Sequence, residues 1–348
     1  MCNDNGIVLI VDYHAQNLEV RWFDRGSGEE RRMNVPTTKD QIEQLLEKAR
    51  AEAGGGSVRW IMESTTGWAR VKDLVGDRAQ FVLANVLQMP LPPKGHRCKT
   101  DKIDTERMLR EELIGKLPRS FQPSRWWREV RRVVDCRLDL VRRTTALKNW
   151  ISCFLHHETW EDRTGLWSGR GMRRLRSLPL GPVDRATLDW KLEELEQLNK
   201  RIGQVESQIR TFYGAWPMAE WVDEVYGIGT VTAVTLLAHI GPIKRFATAE
   251  ELISYMGLAP SVRRSDNVGH NGRIGGGGTD SQMRYLLIES TTWLQKVPRY
   301  RDTYQRAVKN RGKRIARIVV ARLFVRSLHK MLRENIRFNP AVPVVAKA

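Results

Sequence analysis

"IVLIVDYHAQNLEVRWFD", residues 7–24, decides how the chain begins. Its first part, Ile7 to Asp12, is an unbroken apolar run closed by an acid, which reads as a strand buried on both faces. Its second part, Asn17 to Asp24, places Leu18, Val20 and Trp22 on one face, the period-two pattern of a second strand. Working outward, "RGSGEE" is a turn and "RRMNVP" a third strand. "TTKDQIEQLLEKARAEAGGG" carries a capping threonine, helical periodicity and a glycine stop. "SVRWIMES" is again a strand, closed by Glu63; "GWARVKDLVGD" reads as a helix and "AQFVLANV" as a strand. After the proline-rich "MPLPPKGHRCK", the segment "TDKIDTERMLREELIGKL" starts another helix. Strands followed by alternating helices and strands predict an α/β domain over residues 1–122.

Beyond "FQPSRWW" the pattern turns helical and very basic. Leu195, Leu198, Ile202, Val205 and Ile209 recur at alternating three- and four-residue steps, a heptad seam. With "REVRRVVDCRLDLVRRTTALKNW" upstream, residues 123–213 read as a coiled-coil arm of two antiparallel helices, joined by a Gly- and Arg-rich connection near 161–183. That arm is either an ordinary helical hairpin or a dimerisation element. Residues 214–348 form a third, all-α region. There "VYGIGTVTAVTLLAHIG" resembles a helix-hairpin-helix turn, in which Gly227 and Gly229 would let backbone amides reach a DNA phosphate. Residues 300–332 read as one helix with an apolar stripe and a basic face.

The formal net charge is +18, from 58 Lys and Arg against 40 acids, and the excess is spread along the chain. Such a surface suits a phosphate backbone, since neutralising phosphates releases counterions. Several of the 12 tryptophans adjoin arginines, as in "SRWWREVRR", which suits base stacking as well as core packing. The four cysteines form no CxxC pair, so neither a disulfide framework nor a zinc ribbon is expected, and "CFLHH" lacks a second half-site. No stretch has the ~18 apolar residues of a membrane helix, and no basic region precedes the first apolar run. The expected location is the cytoplasm, without a membrane partner.

Four acids stand out by position. Asp12 and Glu63 end strands, and Asp101 and Asp104 lie at i and i+3 on one helix face. Carboxylates at parallel strand ends can converge at one sheet edge and hold two hard cations such as Mg²⁺, the arrangement of phosphoryl-transfer sites. Each acid also has a plainer reading, as a turn residue or, for Asp101, a helix cap. "SVRRSDNVGHNGRIGGGGTD", residues 261–280, reads as a loop between helical runs. Its "IGGGG" is no P-loop, since no Gly-Lys-Ser/Thr follows and no strand is expected before it; the glycines read as a hinge.

The order "IVD", "MESTTGW", "KTDKIDTERML" resembles the RuvC-like DEDD domain of the insertion-sequence-one-ten transposases, relatives of the Piv-type DNA invertases. "GIGTVTAVTLLAHIGPIKRFATAEELISYMGLAPSVRRSDNVGHNGRI" resembles the C-terminal transposase domain of the same family. Both ends of the chain are covered in the family's order. The chain departs at Thr66 and Asp266, where the family has glycine, at Tyr226, where it has proline, and at the glycines 275–278, where it has Thr-Lys or Ser-Lys.

The resemblance implies an RNase H-like N-terminal domain, a helical arm and a mostly helical C-terminal domain. It implies that Asp12, Glu63, Asp101 and Asp104 bind two Mg²⁺ ions and that Ser265 is the nucleophile, forming a phosphoserine link to DNA. Arg263, Arg264 and Arg273, with Lys99 and Arg284, would bind nucleic acid. The implied partners are target and donor DNA, a structured noncoding bridge RNA that pairs with both, and further copies of the chain, dimer to tetramer, at the bacterial nucleoid. Two rivals stand beside this: a junction-resolving nuclease that uses only the four acids and water, and a non-catalytic nucleic-acid-binding relative.

Overall fold

A computed structural model describes residues 6–90, 101–158, 164–265, 268–274 and 281–341; for 101–103 and 261–273 it describes the backbone only. The chain divides into two compact units, Met1–Gln122 and Pro123–Ala348.

The first unit is built on a five-stranded mixed sheet in the order β3-β2-β1-β4-β5. β1 (Gly6–Tyr13), β2 (Asn17–Asp24) and β3 (Glu30–Pro36) form an antiparallel meander. The turn after β2 is made by Asp24, whose carboxylate accepts from the Gly26 amide at 2.8 Å and the Ser27 hydroxyl at 2.9 Å. Those two donors, Gly26 foremost, hold the Asp24 carboxyl below its usual range. α1 (Lys39–Glu52) is capped by Thr38, whose hydroxyl accepts from the Gln41 amide. It returns the chain to β4 (Ser57–Glu63), which pairs parallel to β1; α2 (Trp68–Val75) then leads to β5 (Gln80–Ala84), parallel to β4. α3 (Asp101–Leu113) completes the unit.

Alternation along β1 sorts two cores. Ile7, Leu9 and Val11 pack with Trp22, Trp60, Leu46 and Val71 beneath α1 and α2. Val8 and Ile10 pack with Ile61, Val82, Met108 and Leu109 beneath α3. Burial on both faces is why β1 reads as a continuous apolar run. Trp22 and Trp60 are core residues, so part of the tryptophan content is structural. α3 is pinned by charge as well as packing. Glu112, 2% exposed, accepts from Arg59 at 2.5 Å and pairs with Arg25 at 3.5 Å. Arg21, equally buried, donates to Glu30 at 2.5 Å and to the Thr105 hydroxyl at 3.4 Å.

The second unit opens with α4 (Arg125–Glu158), and α5 (Gly169–Arg176) lies within the connection to α6 (Pro182–Gly214). The far half of α4 (Leu140, Leu147, Ile151, Leu155) packs on the near half of α6 (Leu188, Leu192, Leu195, Leu198). At the other end Val130 and Val134 share a core with Ile209, and Arg137 donates to Glu206 at 2.8 Å, so the two helices run antiparallel. α7 (Pro217–Asp223), α8 (Thr230–Ile240) and α9 (Ala249–Tyr255) follow, then a hairpin of β6 (Pro260–Ser265) and β7 (Val268–Ile274), then α10 (Ser281–Leu294) and α11 (Pro298–Glu334). α8, fully buried over its last turns, is the centre of this unit's core. α11 is not the single helix read from the sequence: its backbone breaks at Gly312, with φ 80° and ψ 166°. No helix among the described residues is long and apolar enough to cross a membrane.

Candidate active site

Asp12 stands one residue before the end of β1, and Glu63 ends β4. The two strands are parallel, with Val11 opposite Met62, so Asp12 and Glu63 leave the sheet side by side at one edge. Alternation puts both on the face of Ile10 and Ile61, which is the face covered by α3. The direction of α3 follows from its own bonds. Its last turn is tied to Arg59 near the start of β4, while Thr105 receives Arg21, which is opposite Ile10 in register. α3 therefore begins at the edge where β1 and β4 end, and Asp104 is one turn before Met108, which packs against the sheet. Asp101, one turn earlier still, begins the helix; its side chain lies outside what the structure describes.

Asp12 and Asp104 each have a basic neighbour. The Asp12 carboxylate meets His14 Nε2 at 3.3 Å, and Asp12 is 15% exposed where His14 is 51% exposed. Asp104 pairs with Arg107 at 3.3 Å, and Arg107 also donates to the Pro90 carbonyl at 2.6 Å. His14 is a residue the sequence reading passed over; its signal is the spacing, two residues after an acid at a strand end. The "ESTTGW" motif fixes the edge. The Thr65 amide donates to the Glu63 carbonyl at 2.8 Å, and Gly67 turns into α2 at φ 101°, with no room for a Cβ, which would lie 2.7 Å from the Tyr13 ring. Arg70 from α2 donates to the Tyr13 hydroxyl, so the end of β1 is tied to the helix that follows β4.

All four acids offer carboxylate oxygens, the donor chemistry of a hard divalent cation. Among the described side chains, no three of His, Cys, Asp or Glu are grouped to hold an ion. The "CFLHH" histidines and Cys153 likewise form no such group.

Residues 261–274 are not the loop that the sequence suggested. β6 and β7 pair antiparallel, with Arg263 opposite His270, Arg264 opposite Gly269 and Ser265 opposite Val268. A strand thus does precede "IGGGG", contrary to expectation; the P-loop reading stays excluded because no Gly-Lys-Ser/Thr follows. The physical reason is spacing: two strands separated by two residues make a hairpin, and their pairing overrides the weak strand propensity of two glycines and few apolar residues. Ser265 ends β6. The side chains of Arg263, Arg264, Ser265 and Arg273 lie outside what is described, as do Lys99, Asp266 and residues 275–278 altogether. Arg284, on α10, has a buried Nη1 without a hydrogen-bond partner among the described residues.

At the "GIG" turn, packing explains the first glycine. Gly227 has φ 90°, and a Cβ there would stand 2.2 Å from the Trp293 Cβ. Gly229 caps α8 with nothing within 4 Å of a built Cβ, so its side of the turn is open. Asp223 stands at the start of α8, accepting from Thr230 and from Tyr213, each at 3.1 Å. Burial, and then that carboxylate, push the Tyr213 phenol above its usual range. The Asp223 carboxylate thus places negative charge beside this turn. Gly227→Ala will destabilise the second unit by about 3 kcal/mol through overlap and backbone strain, read as a lower melting temperature in calorimetry; Gly229→Ala will leave it unchanged.

Two family models match the chain. Residues 219–305 match a model described as Transposase IS116/IS110/IS902 family, and residues 11–158 match a second described as Transposase. The first range holds Ser265 and the second all four acids. A 43.6 kDa protein of insertion element IS110 from Streptomyces coelicolor is 29% identical over 141 residues, 40% of this chain and 35% of its own length. A 44.8 kDa protein of insertion element IS116 from Streptomyces clavuligerus is 30% identical over 164 residues, 44% of this chain and 39% of its own. The transposase for insertion sequence element IS1111A from Coxiella burnetii is 28% identical over 149 residues, 40% of this chain and 39% of its own. The chain thus spans well under half the length of these three relatives in the matched stretches.

Proposed function

The chain belongs to the IS116/IS110/IS902 family of transposases, and from that premise we propose that it cuts and exchanges DNA strands through a phosphoserine intermediate, guided by a structured bridge RNA. The observation that carries this reading is the placement of Asp12 and Glu63 side by side on the α3 face, at the edge where α3 begins and Asp104 lies in its first turn. Asp12, Glu63, Asp101 and Asp104 would hold Mg²⁺, which supplies charge neutralisation at a phosphate and a lower pKa for an attacking hydroxyl.

The residues of the chain divide the work. Ser265 attacks phosphorus through Oγ and loses its proton; the bond from phosphorus to one sugar oxygen breaks, and that oxygen takes up a proton. The energy of the broken ester is kept in the serine ester, so a sugar hydroxyl of another strand can reverse the step without ATP. Arg263, Arg264 and Arg273 neutralise the phosphate oxygens, with Lys99, Gly229 and Arg284 along the nucleic acid. His14 and Arg107 orient the Asp12 and Asp104 carboxylates. The arm joins copies of the chain into dimers and tetramers, as two DNA segments require. Supporting this, Trp190 and Val183 on α6 and Trp150 on α4 stand exposed.

The test is a plasmid assay with donor and target sites, run with and without RNA transcribed from the noncoding flank of the element. Recombinant junctions are expected only with the RNA. Junctions at equal yield without it would remove the guide from the account, and no junctions under either condition would favour the non-catalytic relative.

A further inference from the structure

The break in α11 creates a feature that the catalytic reading does not use. Gly312 adopts φ 80°, and a Cβ there would meet nothing within 4 Å, so the glycine serves the bend and not a close contact. Thr303, Arg306 and Asn310 before the break line one cleft of about 510 Å³ with Val319 and Leu323 after it. In an unbroken helix Thr303 and Leu323 would be about 30 Å apart, so the two limbs fold toward each other and Gly312 is the corner of an elbow.

The charge on this element is unbalanced. Between Asp302 and Glu334 there is no acid. Four cations further along the second limb are engaged: Arg322 and Arg326 with Glu250, Arg333 with the Phe246 and Ala247 carbonyls, Lys330 with Glu334. At the corner the pattern reverses. Lys309, Arg311, Lys313 and Arg314 are all exposed, and none has an acidic partner among the described residues. Like charges crowded on a corner repel each other, and a polyanion relieves that repulsion. No aromatic ring lies between Tyr304 and Phe324, so the corner offers no platform on which single-stranded bases would stack.

We propose that the α11 elbow grips the phosphate backbone of duplex DNA through Lys309, Arg311, Lys313 and Arg314. Duplex DNA carries one charge per about 1.7 Å of axis, dense enough to engage all four at once. The contact is made to phosphates, so it fixes position without reading sequence. The assignment to DNA rests on the transposase reading above.

The experiment measures binding of the full chain to a fluorescent duplex of about 30 base pairs across a salt series. The variant Lys309→Gln/Arg311→Gln/Lys313→Gln/Arg314→Gln is compared with a charge-matched control, Arg32→Gln/Lys39→Gln/Lys48→Gln/Arg50→Gln, whose cations are paired with acids in the first unit. The elbow variant is expected to bind at least ~10-fold more weakly near physiological salt, with a slope of log affinity against log salt shallower by about 3. The control is expected to stay within about twofold, and both to melt as the wild type does. Equal losses in both variants, or none in the elbow variant, overturn the proposal. So does a loss confined to a duplex RNA probe, which would assign the corner to RNA. If the wild type itself does not bind duplex DNA, the transposase reading falls and this inference with it.

Discussion

Asp12→Asn and Glu63→Gln will each lower DNA strand cleavage on the order of 10³-fold while leaving DNA affinity within a few-fold of the wild type. Both changes keep size and polarity and remove only the charge. Asp12 is mostly covered and lies against His14, a contact that asparagine's amide oxygen retains. If these acids were turn residues, the loss would appear in stability and not in cleavage. A cleavage assay beside a thermal melt separates the two. A variant that melts normally and cleaves at the wild-type rate would remove the carboxylate edge from the mechanism.

Ser265→Ala will cost more. Removing a nucleophile eliminates the covalent path, and losses of at least ~10⁴-fold in strand exchange are expected. The rival nuclease predicts otherwise, since water and the four acids would cut DNA in either protein. Cleavage by Ser265→Ala at the wild-type rate would therefore favour that rival. The position of Ser265 at the end of β6, opposite Val268, makes the substitution a small one: alanine keeps the backbone pairing of the hairpin.

The first unit was largely legible because its signals are local. An apolar run ending in Asp12 is a central strand, alternation at Leu18, Val20 and Trp22 is its neighbour, and Thr38 starts α1 by capping it. The side-by-side exit of Asp12 and Glu63 followed from parallel pairing. What escaped depends on partners distant in sequence or on a choice the local pattern leaves open. The β6–β7 hairpin carries glycines and cations where strands normally carry β-branched residues, so only its pairing reveals it. Gly227 was legible as a turn glycine; that Trp293 on α10 leaves no room for a side chain there was not. Gly312 sits in a continuous helical pattern that tolerates a single glycine, and only the backbone shows that the helix turns there. His14 carried no periodic signal at all; its pairing with Asp12 depends on the turn from β1 to β2.

The most direct test of the account is to identify the amino acid joined to DNA. A suicide substrate, nicked so that the cleaved end diffuses away, is incubated with the wild-type chain, Mg²⁺ and the guide RNA. The linked peptide is then mapped by mass spectrometry after protease and nuclease digestion. The account predicts a nucleotide on Ser265, within β6, and no adduct from Ser265→Ala or Asp12→Asn. An adduct on any other residue, or full recombination with no adduct at any time, would contradict it.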